Sequence, residues 1–195
     1  DMTGVDFIAI NTDAQDLENN SAEHRIQIGK TLTKGLGAGA RSSIGQEAMT
    51  TDKEAVQNVM ESSDMVFITC GMGGGTGTGA APVIAQIANE LGILTVGIVT
   101  LPFKFEGPRR LERAMEGISE MKKVCDTVII IPNQKLMSIV DKNTTLSDSF
   151  LLADSILHQA TKGISDLINV HGMINLDFAD VETVMKNMGQ AIMGT

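Results

Sequence analysis

Gly71-Met72-Gly73-Gly74-Gly75-Thr76-Gly77-Thr78-Gly79 is the stretch that decides how the rest of this chain is read. It follows a short apolar run, Met65 to Cys70, and leads into a helix-like run, Ala80 to Leu91. Glycine has no Cβ, so a strand-to-helix junction this rich in it can curl tightly and bring backbone N–H groups close to a ligand. The N-terminus of the following helix adds a partial positive charge at the same place. The combination suits an anion, above all the phosphates of a nucleotide. A merely flexible turn accounts poorly for six glycines in nine positions.

Two familiar nucleotide loops are excluded. A Walker loop ends in Gly-Lys-Ser/Thr, with the lysine on the terminal phosphates, and this stretch has no lysine. Gly75-Thr76-Gly77-Thr78-Gly79-Ala80 fits the G-x-G-x-x-A form of a dinucleotide fingerprint. That reading also needs an acid at the end of the next strand, about 20 residues on, to hold the ribose. The next strand-like run, Ile93 to Leu101, ends in Thr100-Leu101-Pro102 with no acid. A dinucleotide-dependent oxidoreductase therefore fails its second requirement.

Working outward from the loop, apolar runs at Phe7–Ile10, Val66–Cys70, Leu94–Leu101 and Val128–Ile131 have the short, β-branched character of buried parallel strands. Arg25–Ile28 is a weaker strand candidate. Helical stripes lie between them: Val56, Val59 and Met60 in one, Leu111, Ala114, Met115, Ile118 and Met121 in another. The alternation predicts an α/β fold, a Rossmann-like parallel sheet with helices on both faces. A longer stripe from Leu146 to about Asn169 includes Phe150, Ala153, Leu157, Ala160 and Ile164. A last helix carries Val181, Val184, Met185 and Met188 on one face.

Composition sets bounds. The 195 residues are 43% hydrophobic with a net charge of −9. That balance argues against nucleic acid or an anionic membrane surface as a direct partner. There is no apolar run long enough to span a membrane and no secretory pattern at the start. Cys70 and Cys125 read as ordinary buried thiols in a reducing compartment. No His/Cys cluster offers a dedicated metal site, and the 12 methionines fall mostly at core-facing positions.

The glycine stretch is nearly identical to the signature of the tubulin/FtsZ family, and the chain resembles that family's bacterial cell-division branch. The resemblance extends along the whole chain, in the family's order. NTDAQ stands at 11–15, KGLGAGA at 34–40, FEGPRR at 105–110, IPNQKL at 131–136 and NLDFADV at 175–181. It implies a GTP-binding domain over 1–145 that lacks the family's first strand and first phosphate loop. A central connecting helix over 146–170 follows, then a catalytic loop and first helix of a second domain over 171–195. On this reading the chain is an internal fragment, expected to bind nucleotide weakly or not at all by itself.

The resemblance also assigns residues. Gly74, Gly75, Thr76 and Gly77, with Ala38 of the second Gly/Ala loop, would hold the phosphates of GTP or GDP. Arg41-Ser42 after that second loop departs from the family pattern. Glu106 and Arg110 would contact the sugar, although their spacing alone equally describes an i,i+4 surface ion pair. Pro108 within that motif is unusual but sits where a first helical position tolerates proline. Asn133, Phe150 and Asp154 would read the base, Phe150 by stacking and Asp154 by accepting two N–H bonds that guanine offers and adenine does not. Taken alone, Phe150 is a core residue and Asp154 a solvated helix charge.

Asp177 and Asp180 would be the catalytic pair, inserted into the nucleotide site of the next subunit to position water. By spacing alone they are an N-cap and an acid in the first turn of a helix. The family's activity is GTP hydrolysis coupled to a head-to-tail homopolymer, a contact that does not close and so builds filaments. Magnesium is implied with the nucleotide, held by phosphate oxygens and waters. The resemblance further implies a cytoplasmic protein of the division site, tethered through regions outside these residues. A non-polymerising tubulin-like GTP-binding module is the alternative.

Overall fold

Strand and helix alternate along the chain, and every strand pairing is parallel. The computed structural model describes residues 2, 4–140, 143–169, 178–186 and 189–192, with the backbone alone at 167–169, 178, 180 and 189–192. β1 (Ile8–Asn11) pairs with β2 (His24–Gln27) in a two-stranded sheet. β3 (Met65–Gly71), β4 (Leu94–Leu101), β5 (Thr127–Pro132) and β6 (Gly189–Ile192) form a second sheet in that order. β6 was not foreseen; it adds a parallel edge strand beside β5.

Both faces of the larger sheet are covered, as parallel sheets require. Successive residues of β4 and β5 point to opposite sides. Val99, Val128 and Ile130 pack against α5 (Thr76–Glu90) and α6 (Pro108–Val124) through Ala81, Ala85, Ala114, Ile118 and Met121. Val96, Ile98, Ile129 and Ile131 pack against α8 (Leu146–Asn169) through Ala153, Ile156, Ala160 and Ile164. A third cluster joins α5 to α3 (Ser42–Thr51) and α4 (Lys53–Met60), with Ala48, Met49, Val56, Met60 and Ala88 buried.

Two expectations need correction. The helix after the glycine stretch begins at Thr76, not Ala80. Gly77 and Gly79 each disfavour a helix by about 1 kcal/mol relative to alanine, but helix contact outweighs that. A Cβ on Gly79 would run into the Ser42 carbonyl and the Gln46 nitrogen of α3. The stripe on α6 is also narrower than its apolar residues suggest. Ala114, Gly117, Ile118 and Met121 are buried, while Leu111 and Met115 are exposed. Gly117 sets the seam: a Cβ there would lie 2.6 Å from Thr78 Cγ2 and 3.1 Å from Met72 Sδ. Leu111 and Met115 sit on the flank away from it.

The two sheets do not pair with each other. β1 and β3 face one another across a cleft of about 920 Å³, lined by Phe7, Ile8, Ile10 and Asn11 on one side and by Met65 to Gly71 on the other. Asp154, Leu157, His158 and Thr161 of α8 line it as well. The facing strand edges carry backbone N–H and C=O groups with no ladder partner among the described residues. No described helix is long and apolar enough to cross a membrane.

Candidate nucleotide site

The C-terminal ends of the parallel strands, where α/β folds bind ligands, carry most of the assigned residues. The glycine stretch leaves β3 at Gly71, and Met72 N–H donates to the Thr100 carbonyl of β4 at 3.0 Å. Gly73 then turns with φ +103°, a conformation that favours glycine. Its N–H donates to Thr78 Oγ1 at 2.8 Å, which folds the stretch back on its own helix. Gly75 occupies the N-cap of α5 and offers no side-chain acceptor. No cap side chain takes up the first-turn N–H groups, an arrangement that suits an anion.

The second Gly/Ala loop lies directly against the first. A Cβ on Gly75 would fall 2.7 Å from Ala38 Cβ and 2.9 Å from the Arg41 nitrogen. The end of β1 anchors both loops. Thr12, fully buried, shares a hydrogen bond with Thr76 between hydroxyls at 2.6 Å, and its carbonyl accepts from Thr33 Oγ1 at 3.3 Å. Ala14 N–H donates to Gly35 O at 3.1 Å. Ala38, Gly74, Gly75, Thr76 and Gly77 are thus one cluster. Only Gly74 among these glycines has nothing within 4 Å of where a Cβ would stand.

Glu106 and Arg110 adjoin the cluster through Gly73. A Cβ on Gly73 would lie 2.5 Å from Arg110 O and 2.7 Å from Arg110 Cγ. Glu106 Oε1 accepts the Phe103 N–H at 2.8 Å, and Oε2 lies 2.7 Å from Arg110 Nε. That ion pair is close in distance but not aligned, since the buried Nε makes no hydrogen bond. The glutamate side chain is 11% exposed and, through the Phe103 N–H, fixes the turn into α6.

Of the residues assigned to the base, Asn133 stands at the end of β5, Phe150 against the aromatics that follow β4, and Asp154 in the lining of the β1/β3 cleft. Asn133 opens α7 (Asn133–Leu136) directly after β5. It is 4% exposed, and its Oδ1 has no hydrogen-bond partner among the described residues. A buried acceptor left unsatisfied costs about 1–3 kcal/mol, so a donor from a ligand fits there. Phe150 is not a core residue. It is 43% exposed and meets Phe103 and Phe105 edge-on, with centroids 5.4 and 6.0 Å apart. Phe103 and Phe105 stack at 4.9 Å. Asp154, one turn further along α8, is exposed and lines the cleft beside Thr76 and Gly77.

Neither side chain of the proposed catalytic pair is among those described. Asp177 lies outside the described residues, and Asp180 is described by backbone alone within α9 (Phe178–Met185). The Met185 carbonyl at the end of α9 accepts from Thr127 Oγ1 at 2.8 Å, at the first residue of β5. Asn133 follows the last residue of that strand. Both cysteines are free; burial pushes the thiols of Cys70 and Cys125 up to about 12.

Three participants were not singled out from sequence. Thr12 sits inside the 11–15 motif, where its hydroxyl could have been suspected. Phe105 stands one residue before Glu106 and is 48% exposed, in the same aromatic group as Phe150. Arg113 Nε donates to the Gly73 carbonyl at 3.0 Å; only its place one turn beyond Arg110 on the same helix hinted at this.

Comparison with known proteins identifies the family and the fold. A family model described as Tubulin/FtsZ family, GTPase domain, matches residues 1–141. The fold superimposes on a W319Y mutant of FtsZ from M. jannaschii with a TM-score of 0.95 and 50% identity, over 98% of this chain and 57% of that one. An empty FtsZ dimer from the same organism gives 0.91 and 52%, over 94% and 53%. CetZ2 of Haloferax volcanii, solved as a GTPγS-bound protofilament, gives 0.78 at 21% identity over 93% and 54%, a likeness of fold. The chain spans a little over half the length of these proteins.

Proposed function

The chain belongs to the Tubulin/FtsZ family through its GTPase domain, and from that premise we propose that it binds GTP, hydrolyses it and assembles head to tail into a filament. The observation that carries the nucleotide reading is the meeting of two glycine loops at the C-terminal edge of the sheet. Gly75 lies against Ala38 and Arg41, and Thr76 is held by Thr12. Free N–H groups there, at a helix N-terminus, suit phosphates. Gly74, Gly75, Thr76, Gly77 and Ala38 hold them. Glu106 and Arg110 take the sugar. Asn133 Oδ1, Phe150 and Asp154 take the base, the last giving guanine its preference. Magnesium bound with the nucleotide would neutralise charge on its phosphates.

The location of α9 supports hydrolysis between subunits. α8 has 24 residues and so runs about 36 Å, away from the edge where Phe150 sits. The chain then returns to the sheet at the first residue of β5. Asp180 precedes Met185 by five residues in α9, and Met185 meets the end of β5 opposite Asn133, which supports a role for Asp180 away from its own subunit's glycine loop. Asp177 and Asp180 act on water in a neighbour's site, which ties turnover to a contact that propagates without closing. The filament is a cytoplasmic division ring, tethered by partners that bind elsewhere in the full-length protein. The relatives at 50% and 52% identity are from an archaeon, so the ring is assigned to prokaryotes in general. The cleft between β1 and β3 receives one further parallel strand, which brings a first phosphate loop to Thr76.

The test is a mixing experiment in the full-length protein. Asp180→Ala leaves GTP binding unchanged and removes most turnover. Subunits lacking Asp180, mixed with subunits that keep Asp180 but cannot bind GTP, regain activity. If Asp180 only caps α9, the substitution lowers stability by about 0.5–2 kcal/mol, and turnover per folded, GTP-bound molecule stays normal.

A further inference from the structure

We propose that Arg113 is a positioning residue for the phosphate loop: it locks the Gly73–Gly74 peptide so that the Gly74 N–H faces the anion. The proposal rests on the nucleotide reading above. Arg113 Nε donates to the Gly73 carbonyl at 3.0 Å from within α6. All peptides described are trans. In a trans peptide the C=O of one residue and the N–H of the next point in opposite directions. Drawing the Gly73 carbonyl towards α6 therefore turns the Gly74 N–H away from α6, into the concave side of the loop. That N–H makes no hydrogen bond among the described residues.

This peptide is the one in the loop most easily turned over. It is flanked by glycine on both sides, and a glycine pair crosses between backbone basins at little steric cost. Turned over, it would present a carbonyl oxygen to the phosphates in place of a donor. The neighbouring turns are fixed by other means. Gly73 N–H is held by Thr78 Oγ1 at 2.8 Å, and Gly75 is wedged against Ala38 and Arg41. Gly74 has nothing within 4 Å of its Cβ position, so no packing holds it. The guanidinium supplies the missing restraint. α6 is a firm base for it, because Gly117 lets the helix sit tightly on Thr78 and Met72.

The test titrates GDP and guanosine into the full-length protein and three variants. In Arg113→Gln, Nε2 stands as many bonds from Cα as the arginine Nε, so the donor stays and the charge goes. Arg113→Met keeps the length and loses both. Arg113→Lys keeps the charge and puts a methylene where Nε stood. Met and Lys are each expected to bind GDP about tenfold more weakly, the size of one hydrogen bond. Gln stays within about threefold of wild type, and guanosine, with no phosphate, binds all four alike. Should Met not fold, Lys stands in for it. The proposal is overturned if Met and Lys bind GDP as tightly as wild type, if Gln loses as much as Met, or if guanosine weakens in step with GDP. A wild-type protein that binds no guanine nucleotide overturns the nucleotide reading itself.

Discussion

The glycine loop and the cleft beside it are built in opposite ways. Around the loop, the chain packs with no room to spare: Gly79 against the Ser42 backbone, Gly75 against Ala38 and the Arg41 nitrogen, Gly117 against the side chains of Thr78 and Met72. Across the cleft, β1 and β3 face each other over about 920 Å³ with their hydrogen-bonding edges unpaired. The contrast shows that the glycine stretch is held by close packing against its neighbours, whereas the strands flanking the cleft are not. It also shows that glycine serves different ends within one motif. Gly73 supplies a backbone conformation, Gly75 and Gly79 permit close approach of protein to protein, and Gly74 leaves space for a ligand.

That division of labour breaks down if the glycines are interchangeable. Gly79→Val is expected to be the most damaging change, costing more than about 3 kcal/mol of folding stability because the clash is with the backbone of α3, which cannot give way as a side chain can. Gly74→Ala, with open space around it, should keep stability within about 0.5–1 kcal/mol and lose nucleotide affinity instead. Denaturant unfolding beside GDP titration separates the two. Equal stability losses would erase the distinction between packing glycines and ligand glycines.

The cleft gives the next largest effect. Residues 1–195 alone should bind GTP at least about a hundredfold more weakly than the full-length protein, a difference near 2.7 kcal/mol. Amide exchange along β1 and β3 should slow in the full-length protein as their edges become paired. Equal affinity would mean that the cleft stays empty and the cradle needs nothing from it. A smaller loss is expected at the seam between the regions. Thr12→Val keeps shape but leaves the Thr76 hydroxyl unpaired, at about 1–2 kcal/mol, seen in unfolding curves and in weaker GDP binding.

Much of this was legible in the residues, for local reasons. The spans of β4, Leu94–Leu101, and α8, Leu146–Asn169, agree with the structure at both ends. Buried parallel strands are continuous apolar runs and long helices repeat their stripe many times. The start of α5 was missed because glycine propensity speaks against Thr76–Gly79 as helix, and only contact with α3 reverses it. Leu111 and Met115 were assigned to the core because a stripe of apolar residues does not show which flank carries the close-contact glycine. The glycine stretch drew attention as a candidate phosphate loop through glycine chemistry. The sugar and base residues came by resemblance alone. Glu106 and Arg110 do form the i,i+4 pair that their spacing describes, and Phe150 and Asp154 look ordinary until Phe103, Phe105 and the cleft are placed around them.

The smallest effect concerns the cysteines at the boundary. Cys70 lines the cleft, and its Sγ lies 3.8 Å from the Gly77 carbonyl. Burial raises both thiols from 9.0 to about 12 in the folded protein. A folded value above the unfolded one means that the stabilisation is complete below pH 9 and fades as pH rises towards 12. Alkylation at pH 8 should therefore be slow for both, and rapid labelling of Cys70 alone would show that the cleft opens further than the structure describes.

The most direct test of the account is a competition titration of GTP against ATP in the full-length wild type and in Asp154→Ala. On the proposed assignment Asp154 would accept two charge-assisted hydrogen bonds from guanine, each worth about 1.5–3 kcal/mol. Wild type should prefer GTP by at least about a hundredfold, and the variant should lose most of that preference while keeping its weaker affinity for ATP. Equal affinity of the wild type for GTP and ATP would contradict the guanine site assigned to Asn133, Phe150 and Asp154.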